Sequence, residues 1–217
     1  MNSLNGLKIV ITAGPTVERI DPVRYITNDS SGKMGYALAE AAQKAGGRVL
    51  LISGPVSLPT PEGVIRIDVL SADDMLAACQ ANMPCDIFIS AAAVADFKVL
   101  SPSTFKIKKK YDDDSNIVLY LSKNPDIIKT ISESKKSNFT VGFAAETHDI
   151  KENAKSKIIR KKINLILAND VSDESIGFNN DENELLAIDD QFNEYPFPRA
   201  TKSKLAAEVI DLIVKLH

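Results

Sequence analysis

The chain has 217 residues, 44% of them apolar and 25% charged, with 26 basic against 29 acidic side chains and a net charge of −3. A chain of this length buries a core without metal or disulfide staples, and its composition excludes a disordered, collagen-like or low-complexity protein. The acidic balance argues against a dedicated nucleic-acid binder, and no apolar run reaches the ~18 residues of a membrane-crossing helix.

Met1–Gly6 lacks the basic and apolar regions of a secretory leader, so a cytoplasmic protein with neither a membrane nor a nucleic-acid partner is expected. Apolar runs then recur along the chain at Leu7–Thr12, Arg48–Ser53, Val64–Val69, Asp86–Ala91, Phe139–Ala144 and Leu165–Ala168. They are continuous rather than alternating, as in parallel strands covered on both faces. Helical patterns separate them, at Lys33–Ala45, Ala72–Asn82, Pro125–Ser134, Ile150–Lys162 and Lys202–Leu216. The alternation predicts an α/β fold, a doubly wound, mostly parallel Rossmann-like sheet with helices on both faces. Ser71 reads as a helix N-cap, Gly46-Gly47 as a helix end, and Pro125 as a first-turn proline. Two segments break the rhythm, 98–120 and 184–198. They are expected as excursions from one domain spanning 1–217, the first a lid or dimer contact, the second a small hairpin. Cys79 and Cys85 make no disulfide framework, and His148 and His217 offer a metal almost nothing; both read as chance surface positions, the terminal one frayed.

Ligands of open parallel sheets bind beyond the carboxyl ends of the strands. Gly14-Pro15 follows the first strand, and a long loop leads to Asn28-Asp29-Ser30-Ser31-Gly32-Lys33-Met34-Gly35, where a helix begins. Small residues, open amides and Lys33 at a helix start favour a phosphate, although a glycine turn that only packs a helix reads the same way. The dinucleotide pattern GxGxxG is absent, the second strand ends in Ser53-Gly54-Pro55 without an acid, and Gly32-Lys33 fails the Walker pattern, so a nicotinamide enzyme and a P-loop ATPase are disfavoured. Ala91-Ala92-Ala93-Val94-Ala95-Asp96 follows the fourth strand. Its small side chains admit a ligand to the backbone, and Asp96 is placed for a ribose hydroxyl or, through water, a metal ion. Four lysines fall within 106–110, and Lys157 and Lys161 share a helical face; a solvated surface and a phosphate contact both fit such patterns.

Several segments together, Leu7–Thr16, Asp21–Asn28, Ser30–Gly35, Ser53–Pro61, Ala91–Asp96, Lys106–Lys109, Lys123–Ile127, Val141–Glu146 and Ala168-Asn169-Asp170, resemble phosphopantothenate–cysteine ligase, most closely the bacterial CTP-using kind. In that family the ligase usually forms the C-terminal half of a bifunctional protein whose N-terminal half is a flavin decarboxylase. The resemblance implies an acyl-cytidylate made from 4′-phosphopantothenate and CTP with Mg2+, its capture by L-cysteine, a homodimer, and a decarboxylase as a fused or separate partner; it implies no flavin in this chain. It assigns Asn28 to the acyl oxygen and Lys106 to the phosphates, on a flap that closes. It assigns nucleotide contacts to Ala91, Ala92, Ala93, Asp96, Lys123, Asn124, Pro125, Asp126, Ile127, Phe143, Lys157 and Lys161. Gly14, Pro15, Ser30, Gly32 and Lys33 complete the nucleotide-binding set expected from the glycine loop. Asp29 departs from the family, which carries His there. Two rivals remain, a nicotinamide-dependent reductase on the same fold and a non-catalytic nucleotide-binding module.

Overall fold

The computed structural model describes residues 3–108, 116–146, 148–170 and 180–217. In chain order its elements are β1 (Lys8–Ala13), β2 (Val17–Asp21), β3 (Arg24–Thr27), α1 (Lys33–Lys44), β4 (Arg48–Ser53), β5 (Ile65–Asp68), α2 (Ala72–Ala81), β6 (Cys85–Ser90) and β7 (Phe97–Val99). There follow β8 (Leu121–Lys123), α3 (Ile127–Ser134), β9 (Ser137–Glu146), α4 (Ile150–Lys161), β10 (Leu165–Asp170), β11 (Glu182–Asp189), β12 (Glu194–Thr201) and α5 (Lys202–Leu216).

Eight strands form one sheet in the order β12-β11-β10-β9-β6-β1-β4-β5. The six from β5 to β10 run parallel, and β11 and β12 close one edge antiparallel. The apolar strands are buried on both faces, and alternate residues serve opposite layers. Ile9 and Ile11 of β1 pack with Leu38, Ala42, Leu205 and Val209 of α1 and α5. Val10, between them, packs with Met75, Ile131 and Ile158 of α2, α3 and α4. This two-sided burial is why the strand signal in the sequence is continuous.

Six expected strands and five expected helices form within two residues of their anticipated bounds. Ser71 caps α2 as expected; its side chain accepts from Asp74 N, and the Asp74 carboxylate accepts in return from Ser71 N. Four expectations are corrected. Segment 184–198 is no excursion, because β11 pairs with β10 and extends the main sheet. Pro125 precedes the helix, and Asp126 is the α3 N-cap. The loop after β1 contains a hairpin, β2–β3, in which Val17 faces Thr27. His217 is not frayed: its backbone N–H donates to Ile213 O at 2.9 Å and its ring meets Phe139 edge-on at 6.1 Å. The expected lid, 98–120, springs from a short ribbon in which β7 pairs with β8; Lys109 and Lys110 lie outside the described residues.

Candidate active site

The sheet changes direction of winding between β1 and β6, since α1 carries the chain from β1 to β4 on one side while β6 begins the other side. The crevice beyond the carboxyl ends of such a pair is where this architecture admits ligands. Here residues 14–32 intervene between β1 and α1, including the β2–β3 hairpin, where dinucleotide folds have a tight glycine turn. The hairpin is stitched to the loop after β6. The carbonyl of Ala93 accepts from Thr16 N at 3.2 Å and from Asn28 Nδ2 at 2.9 Å, while Ala93 N donates to Gly14 O at 2.9 Å. Asn28 and the alanine-rich turn, 65 residues apart in the chain, are therefore joined by one hydrogen bond.

Gly32 is the N-cap of α1 at φ 77°, a left-handed conformation that a side chain would strain. Among the described residues no side chain caps this helix, and no acid occupies its first turn, so its positive end favours an anion. That end opens into a cavity of about 630 Å3. Asn28, Ser30, Gly32, Lys33, Ala91, Ala92, Ala93, Asp96, Phe143 and Lys157 line it. Gly14 and Pro15 do not. They buttress it from behind, Gly32 lying against Gly14 and Pro15 bridging to Ala93.

A second cavity of about 570 Å3 adjoins the first, sharing Ala92, Val94, Asp96, Phe143 and Lys157 with it. Lys123, Asn124, Pro125, Asp126, Ile127 and Lys161 line its far wall. Asn124 locks that wall to the alanine turn, its N donating to Asp96 O at 2.9 Å and its Nδ2 to Ala95 O at 2.8 Å. Its Oδ1 is buried without a partner among the described residues. Lys161 Nζ lies 3.3 Å from Asp126 Oδ1. The two cavities form one groove with an open helix end and Lys33 in one half and a looped, partly apolar wall in the other.

Lys106 is not brought to this groove. It is exposed, and its neighbour Ile107 is gripped from two sides, Ile107 N donating to Asp21 Oδ2 at 3.1 Å and Ile107 O accepting from Arg24 Nη2 at 2.9 Å. Asp21 is buried, and its carboxylate also accepts from Arg24 Nε, Arg24 Nη2 and the backbone N–H groups of Val23 and Arg24. The Arg24 guanidinium, assisted by these N–H donors and opposed by burial, holds the Asp21 carboxyl well below the usual range. A depressed folded-state pKa stabilises fully above the unfolded value of ~3.9 and ceases to do so as pH falls through the folded value. The stability gap between the wild type and Asp21→Asn is therefore expected to be widest near neutrality and to narrow below ~pH 4. Urea melts across that range check it; a gap that widens in acid refutes the assignment.

Several groove residues were not singled out in the sequence, Asn169, Asn183 and Lys202 among them. Asn169 lies near the end of β10, Asn183 near the start of β11, and Lys202 opens α5; each lines the larger cavity. Asn169 was visible only as part of a motif, and nothing local marked the other two. Among the described residues no cluster of three His, Cys, Asp or Glu offers a metal site, and no helix is long and apolar enough to cross a membrane. Cys79 and Cys85 are buried; burial pushes the Cys79 thiol up to about 12, which keeps it inert.

The family described as "DNA/pantothenate metabolism flavoprotein C-terminal domain" matches residues 4–216. The chain is 49% identical over 215 residues to the coenzyme A biosynthesis bifunctional protein CoaBC of Vibrio vulnificus (strain YJ016), covering 98% of this chain and 53% of that protein. It is 46% identical over 216 residues to the CoaBC protein of Escherichia coli (strain K12), covering 99% and 53%. The chain thus spans about half the length of these relatives. The crystal structure of the C-terminal domain of a CoaBC protein superposes with a TM-score of 0.83 at 38% identity, covering 99% of this chain and 97% of that one.

Proposed function

Because the chain belongs to the DNA/pantothenate metabolism flavoprotein C-terminal domain family, we propose that it is a ligase of coenzyme A biosynthesis, joining 4′-phosphopantothenate to L-cysteine with CTP converted to CMP and pyrophosphate. The observation that supports this reading is the hydrogen bond from Asn28 to Ala93 near the uncapped start of α1, which sets an amide donor beside an open helix N-terminus.

A carboxylate resists displacement by an amine, so it must first become a mixed anhydride. Its oxygen attacks the α-phosphate of CTP, the bond to the bridging oxygen breaks, and pyrophosphate leaves. The cysteine amine then attacks the acyl carbon, CMP departs, and the nitrogen loses a proton to water. Both steps concentrate negative charge, which calls for fixed donors and cations rather than a proton shuttle, and neither histidine lines the groove. We assign the cytidine to the cavity walled by Lys123–Ile127 and Phe143, the phosphates to Lys157, Lys33 and the α1 N-terminus, and the acyl group to Asn28. Backbone groups of Ala91–Ala93 lie where the edge of a small base would be read. Asp96, a carboxylate shared by both cavities, would hold a Mg2+ ion there, and the ion would offset charge on the phosphates. Lys106 reaches the phosphates only when its segment closes over the groove.

Val23, Tyr25, Phe105 and Tyr120 are apolar or aromatic side chains exposed on the hairpin and the 98–120 segment, and a homodimer formed through them follows from this reading. A monomer in sedimentation at assay concentration removes that part. A flavin-dependent decarboxylase, fused or separate, is the partner proposed for the product, and the cytoplasm the location.

The test is pyrophosphate release from 4′-phosphopantothenate with cysteine withheld, run with CTP and with ATP. Release with CTP and Mg2+ alone is expected, together with thermal stabilisation by CTP and none by NADH. Stabilisation by NADH in place of CTP would return the reductase reading, and CTP binding without release would leave a binding module.

A further inference from the structure

We propose that Lys202, together with Lys33 and Asn169, forms a subsite for the terminal phosphates of the nucleotide and for the pyrophosphate they become. The proposal rests on the ligase reading and adds to it a part of the groove away from the wall assigned to the base. Lys202 is only 7% exposed and is the first residue of α5, a helix of 15 residues. That position sets a buried cation against the positive end of a helix, the least favourable place for it. Burial, and next the charge of Lys33, pull its pKa down. Lys33 occupies the same position on α1, so two helix N-termini, each led by a lysine, meet at one cavity wall.

Both lysines are held in place by neighbours of the protein's own. Lys202 Nζ donates to Asn180 O at 2.6 Å, and Lys33 Nζ pairs at 2.6 Å with Asp181, whose carboxylate is 85% exposed. Asn169 supplies an independent sign of a missing ligand. Its side chain is 8% exposed, lines the same cavity and has no hydrogen-bond partner among the described residues. Its amide therefore faces whatever fills the cavity. Two cations and a neutral donor, carried by three separate elements, suit a polyanion rather than a single carboxylate. Lys202 and Asn169 line only the half of the groove that holds the α1 N-terminus and not the half walled by Lys123–Ile127. The phosphates furthest from the nucleoside therefore belong to them. When the α-phosphate bond breaks, the electron pair stays on the bridging oxygen of pyrophosphate, and the same lysines meet the added charge.

The test is calorimetric titration of the full chain with magnesium pyrophosphate and, separately, with CMP. In Lys202→Met, pyrophosphate binding is expected to weaken roughly 10- to 100-fold, the range for a lost charge-assisted bond, with CMP affinity unchanged and a melting temperature no lower than that of the wild type. Unchanged pyrophosphate affinity, or an equal loss for both ligands, overturns the subsite. If the methionine variant does not fold, Lys202→Gln, which keeps a donor for Asn180, is put through the same two titrations, and the same outcomes support or overturn the subsite. A wild type that binds neither ligand sinks the nucleotide reading itself, a result distinct from failure of the lysine variants alone.

Discussion

Replacing Asn28 by alanine is expected to slow pyrophosphate release by ~10²–10³-fold, the usual cost of removing a positioned donor from a developing charge. Asn28 is half-buried at the exit of β3, where its amide is directed by the Ala93 carbonyl. That carbonyl keeps a second donor, Thr16 N, so the substitution orphans no acceptor and should cost stability only ~1 kcal/mol. CTP should therefore still raise the melting temperature of the variant. Asn28→Asp should fare no better despite its matching shape, because a carboxylate repels both the Ala93 carbonyl and an acyl oxygen. Rapid-quench measurement of pyrophosphate checks both; a rate within twofold of the wild type would mean that Asn28 only ties two loops together.

Gly54→Ala carries the largest expected loss of stability. A Cβ on Gly54 would stand 1.8 Å from Pro15 O and 2.8 Å from Pro15 C, and these are backbone atoms that cannot swing aside. Gly54 itself is fixed by its N–H bond to Ala13 O at 2.9 Å. One of the two strand-end loops must move, at a cost of ~3 kcal/mol and about 6–12 °C in melting temperature for a chain of this size. Pro15 and Gly14 hold Ala93, so the displacement also reaches the groove, and CTP should stabilise the variant less than it does the wild type. Calorimetry with and without CTP measures both effects, and a melting temperature within a degree of the wild type contradicts the packing described.

The main sheet was legible because its central strands are buried on two faces and leave unbroken apolar runs. The β2–β3 hairpin left no such trace. Val17-Glu18-Arg19-Ile20-Asp21 is short and polar, and its shape comes from bonds to residues as distant as Leu70, Ser103 and Ile107. Segment 184–198 alternates, which correctly indicated an antiparallel pair, but alternation tells which way side chains face and not which strand lies alongside. Hence its assignment outside the sheet failed. The strand-end rule located Gly32, Lys33 and Ala91–Asp96, whereas Asn169, Asn183 and Lys202 reach the groove only through tertiary folding. A lysine at the start of a helix looks like any solvated lysine until its burial is known.

The hairpin has a mechanical consequence. Its exit runs directly into Asn28, and its bend, through Asp21 and Arg24, grips the backbone beside Lys106. Under the proposed function, the amide assigned to the acyl group and the lysine assigned to the phosphates are therefore tied to one ribbon. A tilt of that ribbon would carry both residues together, so a substitution that loosens the hairpin would disturb both ends of the groove at once.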